Sequence, residues 1–386
     1  MGNAVTERVR VPIDLGERSY EVVVGERLLE HSADILSPIV AGRRVFVVTD
    51  EVVRARHLHR LAPVLGEVAS GYETVLIPLG ERTKSFAQLE VLLNRLLDLG
   101  MDRRSVLLAL GGGVVGDVAG FAAALFMRGV DFVQVPTTLM SQVDSAVGGK
   151  NAINTRHGKN LIGTFHQPRA VLNDVTVLHS LPRRELVAGY GEIVKYGLIR
   201  GERVFSWLEQ HGPAALALDE QAPQQALIEA VRMGCETKGD IVAADERDQG
   251  RRAIINLGHT FAHAIETEVG YGALLHGEAV AAGLAAAAAL SAKLGYCETA
   301  LVERLRRHLG AVGLPERIAA LATQRNWDPA ALMAHMAHDK KTVGGRVAFV
   351  LLRGVGEPFV DNTVPEAAVL TVLAEECSRH NADTRR

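Results

Sequence analysis

Two histidines, His259 and His263, stand four positions apart in the stretch INLGHTFAHAIE of residues 255–266. If this stretch is helical, the two imidazoles lie on one face, one turn apart. That spacing fits a pair of metal ligands, and it equally fits one ligand beside an acid–base catalyst. Spacing alone favours His259 and His263 as the ligand pair. Asn256 and Arg252 precede His259 by three and seven positions, so a continuous helix would carry them on nearly the same face.

Further charged and polar residues suggest a binding site beyond this stretch. The glycine-rich turns of residues 128–160 and the second half of the chain contain Arg128, Asp144, Lys150, Lys159, Asn160, Glu192, Lys195, Lys238, Arg252, Asn256, His276 and the run Asp339-Lys340-Lys341. Lysines in such turns are commonly solvated, and Glu192 with Lys195 also fits a simple intrahelical ion pair. In a functional interpretation, the carboxylate and histidines bind a divalent cation while the lysines hold phosphate and carboxylate groups. The chain contains no HExxH motif, so nothing here indicates a zinc protease.

A glycine-rich turn follows an apolar run in the first half of the chain. Ser105–Leu110 leads directly into GGGVVGD at residues 111–117 and then into a helical pattern, which matches G-x-G-x-x-G between a strand and a helix. Glycines allow a pyrophosphate to approach the backbone, although a tight turn in any α/β fold would look the same. The acidic residue about twenty positions on, Asp131, stands at the start of the next strand instead of its end. We therefore expect a ribose-binding carboxylate at Asp50 or Glu81.

The pattern of elements predicts two domains. Apolar β-branched runs at residues 22–24, 45–48, 74–77, 105–110 and 132–135 alternate with helical patterns at 85–99 and 118–126, which favours a mostly parallel α/β sheet with an early antiparallel hairpin. After residue 181 the texture becomes helical and alanine-rich, with few strand signals until residues 346–352. We predict a Rossmann-like α/β domain over residues 1–178 and a mainly helical domain over residues 179–386.

Composition and net charge limit the classes of molecule that this protein is expected to bind. The chain has 386 residues and a formal net charge of −3, which gives no footprint for nucleic acid or a membrane surface. Its three cysteines form no CxxC pair, so we expect no disulfide framework and a cytoplasmic location. The start of the chain lacks the apolar segment of a signal peptide, and the alanine-rich stretch 279–290 is too short to cross a bilayer. Because the net charge is slightly negative, any anionic ligand would be held by a local cluster of bases.

The chain resembles the 3-dehydroquinate synthases of the sugar phosphate cyclase superfamily over about residues 45–355, and seven stretches between residues 111 and 341 carry the resemblance in the family's order. They are GGGVVGDVAGF, MRGVDFVQVPTTLMSQVDSAVGGK, HGKNLIGTFHQP, LPRRELVAGYGEIVKYG, DERDQGRRAIINLGHTFAHAIE, LLHGEAVAAG and HDKK. The resemblance implies a Rossmann-like N-terminal domain that binds NAD, a mainly α-helical C-terminal domain that binds zinc or cobalt, and an active site in the cleft between them. It also implies a cytoplasmic homodimer.

The reaction implied by this resemblance is that of a carbon–oxygen lyase of the shikimate pathway, on the way to chorismate and the aromatic amino acids. It converts 3-deoxy-D-arabino-heptulosonate 7-phosphate into 3-dehydroquinate and phosphate. Transient oxidation by NAD is followed by β-elimination of phosphate, re-reduction and intramolecular aldol closure.

The resemblance also assigns roles to individual residues. It implies metal ligands at Glu192, His259 and His276, and it makes His263 an acid–base residue instead of a ligand. It implies catalytic roles for Lys150, Lys195 and Asp248 beside His263. The NAD site would use Asp50, Glu81, Lys84, Gly112, Gly113, Val114, Gly116, Asp117, Thr137, Thr138, Asp144, Lys150, Lys159 and Ser180. Substrate would contact Arg128, from a neighbouring subunit, and Asp144, Lys150, Lys159, Asn160, Glu192, Lys195, Lys238, Arg252, Asn256, His259, His263, His276 and one of Lys340 and Lys341.

Several positions depart from the family pattern. Gly191 replaces the usual alanine, Asn151 and Ser180 replace usual threonines, and Asp248 stands where many members have a glutamate suspected of acting as a base. None of these changes removes an implied ligand or phosphate-binding base. Two other functions also fit the sequence: another sugar phosphate cyclase, and a metal-dependent polyol dehydrogenase that would release NADH. A non-catalytic NAD-binding regulator would have no need of the metal-ligand set.

Overall fold

The computed structural model describes residues 8–219, 222, 224–270, 272–323, 326–338, 342–343 and 346–378. Its strands are β1 (Val9–Ile13), β2 (Tyr20–Gly25), β3 (Arg44–Thr49), β4 (Gly71–Leu76), β5 (Val106–Gly111), β6 (Phe132–Pro136), β7 (Lys150–Thr155), β8 (Gly158–Phe165), β9 (Ala170–Asp174), β10 (Thr342–Val343), β11 (Arg346–Val347), β12 (Phe349–Leu352) and β13 (Pro358–Asp361).

The α-helices are α1 (Ala33–Val40), α2 (Glu51–Val53), α3 (His59–Val68), α4 (Phe86–Asp98), α5 (Gly113–Leu125), α6 (Arg183–Arg200), α7 (Glu202–Ala215), α8 (Gln225–Ala244), α9 (His259–Val269), α10 (His276–Lys293), α11 (Thr299–Ala311), α12 (Pro329–His338) and α13 (Glu366–Cys377). Short 3₁₀ segments include Glu81–Thr83 and Arg251–Asn256, and Ser141–Ser145 forms one π-helical turn. Across the described ranges, none of these helices combines the length and the apolarity that crossing a membrane requires.

The chain divides into two compact units, and it passes between them more than once. The first unit consists of Met1–Pro182 and Leu218–Arg247, and the second consists of Arg183–Ala217 and Asp248–Arg386. The prediction drew one boundary, after residue 178, and so assigned α8 to the helical domain. In the structure α8 packs against β1 and β2 of the first unit. The sequence does not indicate that the chain returns to the first unit at α8, because α8 has the same helical pattern as the neighbouring helices.

The first unit is built on a mostly parallel sheet. Within the described residues its seven strands run in the order β1-β2-β9-β6-β5-β3-β4, with only the β1–β2 pair antiparallel. All six residues of β5 are buried, as expected for a strand covered on both faces. The predicted α/β sheet and the early hairpin are therefore confirmed. The sequence interpretation missed β9 and the β7–β8 hairpin.

The strand order brings two loops of the first unit to one edge of the sheet. β3 and β5 are parallel neighbours, so Asp50, which follows β3, and the glycine turn after β5 lie at adjacent carboxyl ends. Ligands of open α/β sheets bind at this edge. Asp131 precedes β6 and lies at the opposite edge, where its carboxylate pairs with Arg43 at 2.8 Å.

The second unit is mainly helical, which confirms the prediction for the C-terminal half. Its centre is formed by α6 and α10, which pack against each other and are buried along most of their length. The alanine-rich stretch that the sequence marked as a buried helix forms the body of α10. α9 packs on α10, so α6, α9 and α10 meet around the histidines considered below.

Candidate functional site

Three residues from three helices form a candidate metal cluster in the second unit. One ligand atom from each of Glu192 (α6), His259 (α9) and His276 (α10) lies within 4.8 Å of the other two. Glu192 Oε1 is 3.7 Å from His259 Nε2 and 3.6 Å from His276 Nε2. Ligands at about 2.0–2.2 Å from a tetrahedral zinc ion are roughly 3.4 Å apart. Small shifts would therefore let the three atoms share one cation and leave a fourth position for water or substrate.

Glycines allow the three helices to approach closely enough to form this cluster. A Cβ on Gly277 would lie 1.7 Å from the backbone oxygen of Ala188, so α10 touches α6 directly beside His276. Gly258 has a φ of +78°, and its backbone oxygen would lie 2.3 Å from a Cβ on Gly283. The start of α9, where His259 stands, is thereby held against α10. The local sequences LGH and HG thus carry both a ligand and the glycine that positions it.

The Nδ1 atoms of both ligand histidines have hydrogen-bond partners. His259 Nδ1 lies 3.2 Å from the backbone oxygen of Leu257, and His276 Nδ1 lies 3.2 Å from Glu266 Oε2. A carbonyl oxygen can only accept, so Nδ1 of His259 carries the proton and donates it. In the neutral ring Nε2 then carries the free lone pair. This is the atom that faces Glu192.

Glu192 carries a buried charge that suits a cation. Its side chain is fully buried, and neither carboxylate oxygen accepts a hydrogen bond among the described residues. Lys195, one turn along α6 and 1% exposed, forms an ion pair with Oε2. The carboxylate oxygen that faces the two imidazoles is therefore without a donor, and burying it costs free energy unless a positive group compensates. A divalent metal fits that requirement.

His263 lies beside the cluster but outside it. The centre of its ring is 5.6 Å from that of His259 and 6.4 Å from that of His276, and the side chain is half-buried. The spacing-based pairing of His259 with His263 is therefore not the ligand set that the structure brings together. Residues four apart on α9 share a face, but the third ligand position is taken by His276 of a different helix.

The glycine turn of the first unit has the form of a nucleotide site. Gly112 is the N-cap residue of α5, which begins at Gly113 with Val114 next, so the free N–H groups of the helix N-terminus lie at the end of β5. A Cβ on Gly112 would lie 3.1 Å from the side chain of Thr138. Thr137 donates its backbone N–H to the oxygen of Gly111 at 3.0 Å.

Asp50 also lies at this edge. It caps α2 by accepting the N–H of Val53 at 2.9 Å.

Lys84 joins the glycine turn to the β7–β8 hairpin. Its Nζ donates to Asp117 Oδ2 and to Asn160 Oδ1, both at 2.5 Å, and the residue is buried. Glu81 lies in the 3₁₀ segment just before Lys84, and its Oε1 accepts a hydrogen bond from Asn154 at 2.7 Å. Candidate cofactor residues and a candidate substrate residue are therefore in direct contact within this unit.

Asp144 and Lys238 form a second contact pair of the first unit. Lys238 on α8 donates to Asp144 Oδ1 at 2.8 Å and also to the backbone oxygen of Asp144. The sequence interpretation grouped Lys238 with the histidines of the helical domain. The structure instead assigns it to the unit that contains Asp144, since α8 returns there.

Four other predicted residues of the first unit are half-buried or exposed. Ser180 Oγ is 3.0 Å from His57 Nε2. Lys150 is exposed at the start of β7, with Nζ 5.9 Å from the ring centre of Phe165, and Lys159 is half-buried on β8. Arg128 is exposed on backbone with a φ of 70°, a conformation that costs free energy for a residue other than glycine.

The remaining predicted residues belong to the second unit. Arg252 is 3% exposed and Asn256 is half-buried, and both lie in a 3₁₀ segment. They do not continue the face of α9, because the left-handed Gly258 separates this segment from the helix; the same-face expectation is wrong. Asp248 is exposed, with a φ of 57°. The predicted contacts at Lys340 and Lys341 lie outside the described residues.

Sequence reasoning missed two residues that contact the candidate sites. Glu266 is the last residue of the INLGHTFAHAIE stretch, and its place one helical turn after His263 could have marked it. Asn154 gave no comparable signal. The β7–β8 hairpin that carries it lacks a clear strand pattern, and its contacts with Glu81 and Lys84 come from residues distant in the chain.

Family models match most of the chain. The N-terminal model of 3-dehydroquinate synthase matches residues 74–188, and the C-terminal model matches residues 189–342. A 3-dehydroquinate synthase from Rhodospirillum rubrum is 52% identical over 362 residues, which are 94% of this chain and 93% of that protein.

Solved structures of sugar phosphate cyclases share the fold. A 2-deoxy-scyllo-inosose synthase complexed with carbaglucose-6-phosphate, NAD+ and Co2+ matches with a TM-score of 0.84 and 28% identity, covering 95% of this chain and 100% of that one. A 2-epi-5-epi-valiolone synthase from Streptomyces hygroscopicus, with NAD+ and Zn2+ bound, matches with a TM-score of 0.83 and 28% identity, over 94% and 98% of the two chains. Taken with the family models, these findings place the chain in the 3-dehydroquinate synthase family.

Proposed function

We propose that this chain acts as a 3-dehydroquinate synthase, a carbon–oxygen lyase that converts 3-deoxy-D-arabino-heptulosonate 7-phosphate into 3-dehydroquinate and phosphate. The observation that carries the proposal is the cluster of Glu192, His259 and His276 in a chain 52% identical to a curated enzyme of that name. The half-buried His263 beside the cluster supplies an imidazole suited to proton transfer.

NAD and one divalent cation, zinc or cobalt, are the proposed cofactors. The two cyclase structures above hold NAD+ with Co2+ or Zn2+, and the chemistry of the donor set here fits either ion. When bound, the cation would polarise a substrate hydroxyl, and NAD would accept hydride from the carbon that carries this hydroxyl and later return it. The metal would be held by Glu192, His259 and His276. NAD would be held by the α5 N-terminus with Asp50, Glu81 and Lys84, and by Asp117, Thr137, Thr138, Asp144, Lys150, Lys159 and Ser180.

The bases of this chain would bind and orient the anionic substrate. In the first unit, Lys150, Asn160 and Lys238 offer donors for an anionic group of the substrate, and in the second unit Arg252 and Asn256 offer such donors. Exposed Lys150 has room to move onto a ligand. Buried Lys195 is suited instead to orienting the Glu192 carboxylate, with which it is paired. These cationic and amide groups would stabilise the negative charge that develops on the phosphate as it leaves.

We further propose a cytoplasmic homodimer. The cysteines are all free, which suits a reducing compartment. Arg128 is exposed on strained backbone, which suits a role in contacting a ligand of a neighbouring subunit. Size-exclusion chromatography with light scattering tests the dimer. If the protein is an active monomer, the role of Arg128 across the subunits fails.

A turnover assay tests the leading proposal. Purified protein is incubated with the heptulosonate phosphate, substoichiometric NAD and zinc or cobalt, while phosphate release and dehydroquinate formation are followed. We expect both products, in excess of the NAD supplied. Metal-loaded protein that forms neither product would contradict the proposal. NADH accumulating in proportion to substrate would indicate a polyol dehydrogenase.

Another sugar phosphate cyclase is the second candidate, because both solved relatives are cyclases with different products. Their 28% identity is well below the 52% of the dehydroquinate synthase, which favours the first candidate. Glucose 6-phosphate and a heptulose phosphate without a carboxylate serve as alternative substrates in the same assay. Turnover of one of these, but not of the heptulosonate, would favour the second candidate.

A further inference from the structure

Glu266 of α9 contacts the candidate metal centre without being one of its ligands. Its Oε2 lies 3.2 Å from His276 Nδ1, on the far side of the ring from the Nε2 atom that faces Glu192. The residue is 7% exposed, so its carboxylate is largely removed from water. A buried carboxylate costs free energy unless it is paired, and His276 is a partner that the structure shows for it.

We propose that Glu266 is a positioning residue for the metal centre. Its carboxylate accepts the Nδ1 proton of His276, selects the tautomer in which Nε2 is free for the cation, and fixes the orientation of the ring. The proton stays on Nδ1, and no bond to the metal involves Glu266. This inference rests on the metal site of the proposed function and adds to it a residue that acts through a ligand.

The two histidines differ in how much support they need. The side chain of His259 is 11% exposed, whereas that of His276 is 36% exposed. The orientation of the His259 ring is fixed by burial and by the backbone carbonyl of Leu257, whose position is set by the fold. His276 is the first residue of α10, and its more exposed ring has more freedom to rotate. A charged acceptor at its Nδ1 therefore restricts the ring orientation more than the same acceptor would at His259.

The chain offers a matched control on the same helix. Glu268 stands two positions after Glu266, and its Oε2 lies 2.8 Å from Nε2 of His335 on α12. Both glutamates therefore pair with a histidine of another helix, but only Glu266 pairs with a candidate ligand. Replacing each glutamate by glutamine removes one charge from α9 and keeps the side-chain shape.

The experiment measures Co2+ or Zn2+ affinity of the full chain by competition with a chelator. We expect Glu266→Gln to bind the metal about 10- to 100-fold more weakly than wild type, the usual effect of losing such a partner. Glu268→Gln should bind like wild type. The rise in Tm on adding metal should shrink only in Glu266→Gln, whereas the Tm values in chelator should show whether either variant is folded.

Two outcomes would overturn the role of Glu266. One is wild-type metal affinity in a folded Glu266→Gln variant, and the other is an equal loss in both glutamine variants, which would indicate a general effect on α9. If wild-type protein itself binds no divalent cation, the metal site of the proposed function fails first. The two failures are therefore distinguishable.

A second inference comes from an independent set of contacts around Asn154 in the first unit. Its backbone N–H donates to the oxygen of Lys84 at 2.8 Å, its Nδ2 donates to Glu81 Oε1 at 2.7 Å, and its Oδ1 accepts the backbone N–H of Asn160 at 3.0 Å. Lys84 Nζ closes the ring by donating to Asn160 Oδ1. Asn160 has a φ of 54°, a left-handed conformation that these contacts help to hold.

We infer that Asn154 is a positioning residue that links the cofactor and substrate residues. Glu81 and Lys84 belong to the proposed NAD site, and Asn160 belongs to the proposed substrate site, so this inference also rests on the proposed function. The two side-chain atoms of Asn154 face different partners: its donor faces Glu81, and its acceptor faces Asn160. The two contacts can therefore be separated by mutation.

Two variants test this separation. Asn154→Asp keeps an acceptor for Asn160 but places a second carboxylate oxygen beside Glu81, so we expect NAD to bind roughly tenfold more weakly while the KM for substrate changes little. Asn154→Ala loses both contacts and should weaken both. Thr155→Ala is the control, since this neighbouring hydroxyl bonds within the hairpin turn, to the N–H of His157 at 3.1 Å.

The link would be overturned by equal changes in NAD affinity and KM in the aspartate variant, or by wild-type values in the alanine variant. Wild-type protein that binds no NAD would instead contradict the proposed function itself.

Discussion

The candidate nucleotide site of the first unit uses backbone that follows two neighbouring parallel strands, whereas the metal cluster of the second unit uses side chains from three helices. Gly111 to Asp117 are consecutive in the chain, and the N–H groups they present come from the start of one helix. Glu192, His259 and His276 are far apart in the chain. Close helix contacts at glycines bring them together.

This difference explains why a short motif indicated one candidate site and not the other. A strand, a glycine turn and a helix specify their own geometry locally. A cluster assembled from separate helices depends on which helices pack together, and a spacing of four residues on one of them carries no information about the other two. Mutations at the two sites should therefore differ in which property they change and in how large the change is.

The largest expected effect is the loss of a metal ligand. His276→Ala should remove the cation and lower kcat by roughly a thousandfold or more, since a bound cation contributes several kcal/mol and about 1.4 kcal/mol is a factor of ten. Metal content by mass spectrometry and steady-state kinetics check this outcome. Full metal content with an unchanged rate would show that the ligand assignment is wrong. His157→Ala, on the exposed hairpin turn, is the control.

His263→Ala should separate catalysis from metal binding. We expect stoichiometric metal, because this imidazole lies outside the cluster, together with a fall in kcat of about 10²- to 10⁴-fold from the loss of an acid–base group. The same two measurements apply. If metal is lost together with the rate, the ligand pair favoured by spacing would replace the one formed in the structure.

Glycine substitutions should show the difference between the units most directly. Gly277→Ala places a Cβ 1.7 Å from backbone, which cannot move aside cheaply, and should cost about 3 kcal/mol of unfolding free energy and weaken metal binding. Gly116→Ala meets the end of the Gln134 side chain at 2.7 Å, which can rotate, and should cost about 1 kcal/mol or less.

Urea unfolding measures both changes, with Gly66→Ala as the control. That position on α3 has no atom within 4 Å of the new Cβ, so a gain of about 0.5–1 kcal/mol is expected. Equal losses in the two test variants would contradict the idea that the metal cluster depends on a close backbone contact at Gly277 that has no counterpart at Gly116.

The smallest expected effect is a pH dependence of the unfolding free energy, to which one buried histidine in each unit contributes. Burial lowers the pKa of His57 in the first unit and of His308 in the second to about 4, with nearby arginines acting in the same direction. Between about pH 6.5 and 4 the unfolded chain binds protons that the folded chain does not, so stability is full above about pH 6.5 and is lost as the pH falls toward 4.

Urea midpoints at about pH 7 and about pH 5 check this prediction. His308→Phe should reduce the pH dependence of the second unit only, and His57→Phe should reduce that of the first only. The exposed His157→Phe is the control. A pH dependence that persists in the variants would assign it to other groups.

Much of the fold followed from the sequence, because the short β-branched apolar runs of β3 to β6 favour strands and the alanine-rich α10 favours a helix. β7 and β8 did not, since their residues are partly polar and the hairpin contacts Glu81 and Lys84, which are distant in the chain. In the candidate metal site, the assignment of the three ligands came from the resemblance to a family and not from residue types or spacing. Asn154 follows no motif, whereas the place of Glu266 one helical turn after His263 could have marked it.

The return of α8 to the first unit has a consequence for synthesis of the chain on the ribosome. The sheet residues are complete by β9, yet the helix that covers β1 and β2 is made only after α6 and α7 of the other unit. N-terminal units generally fold first as a chain emerges. Here the nascent first unit must wait, with an apolar face uncovered, until residue 247 has left the exit tunnel, and a fragment ending at residue 182 should be prone to aggregate.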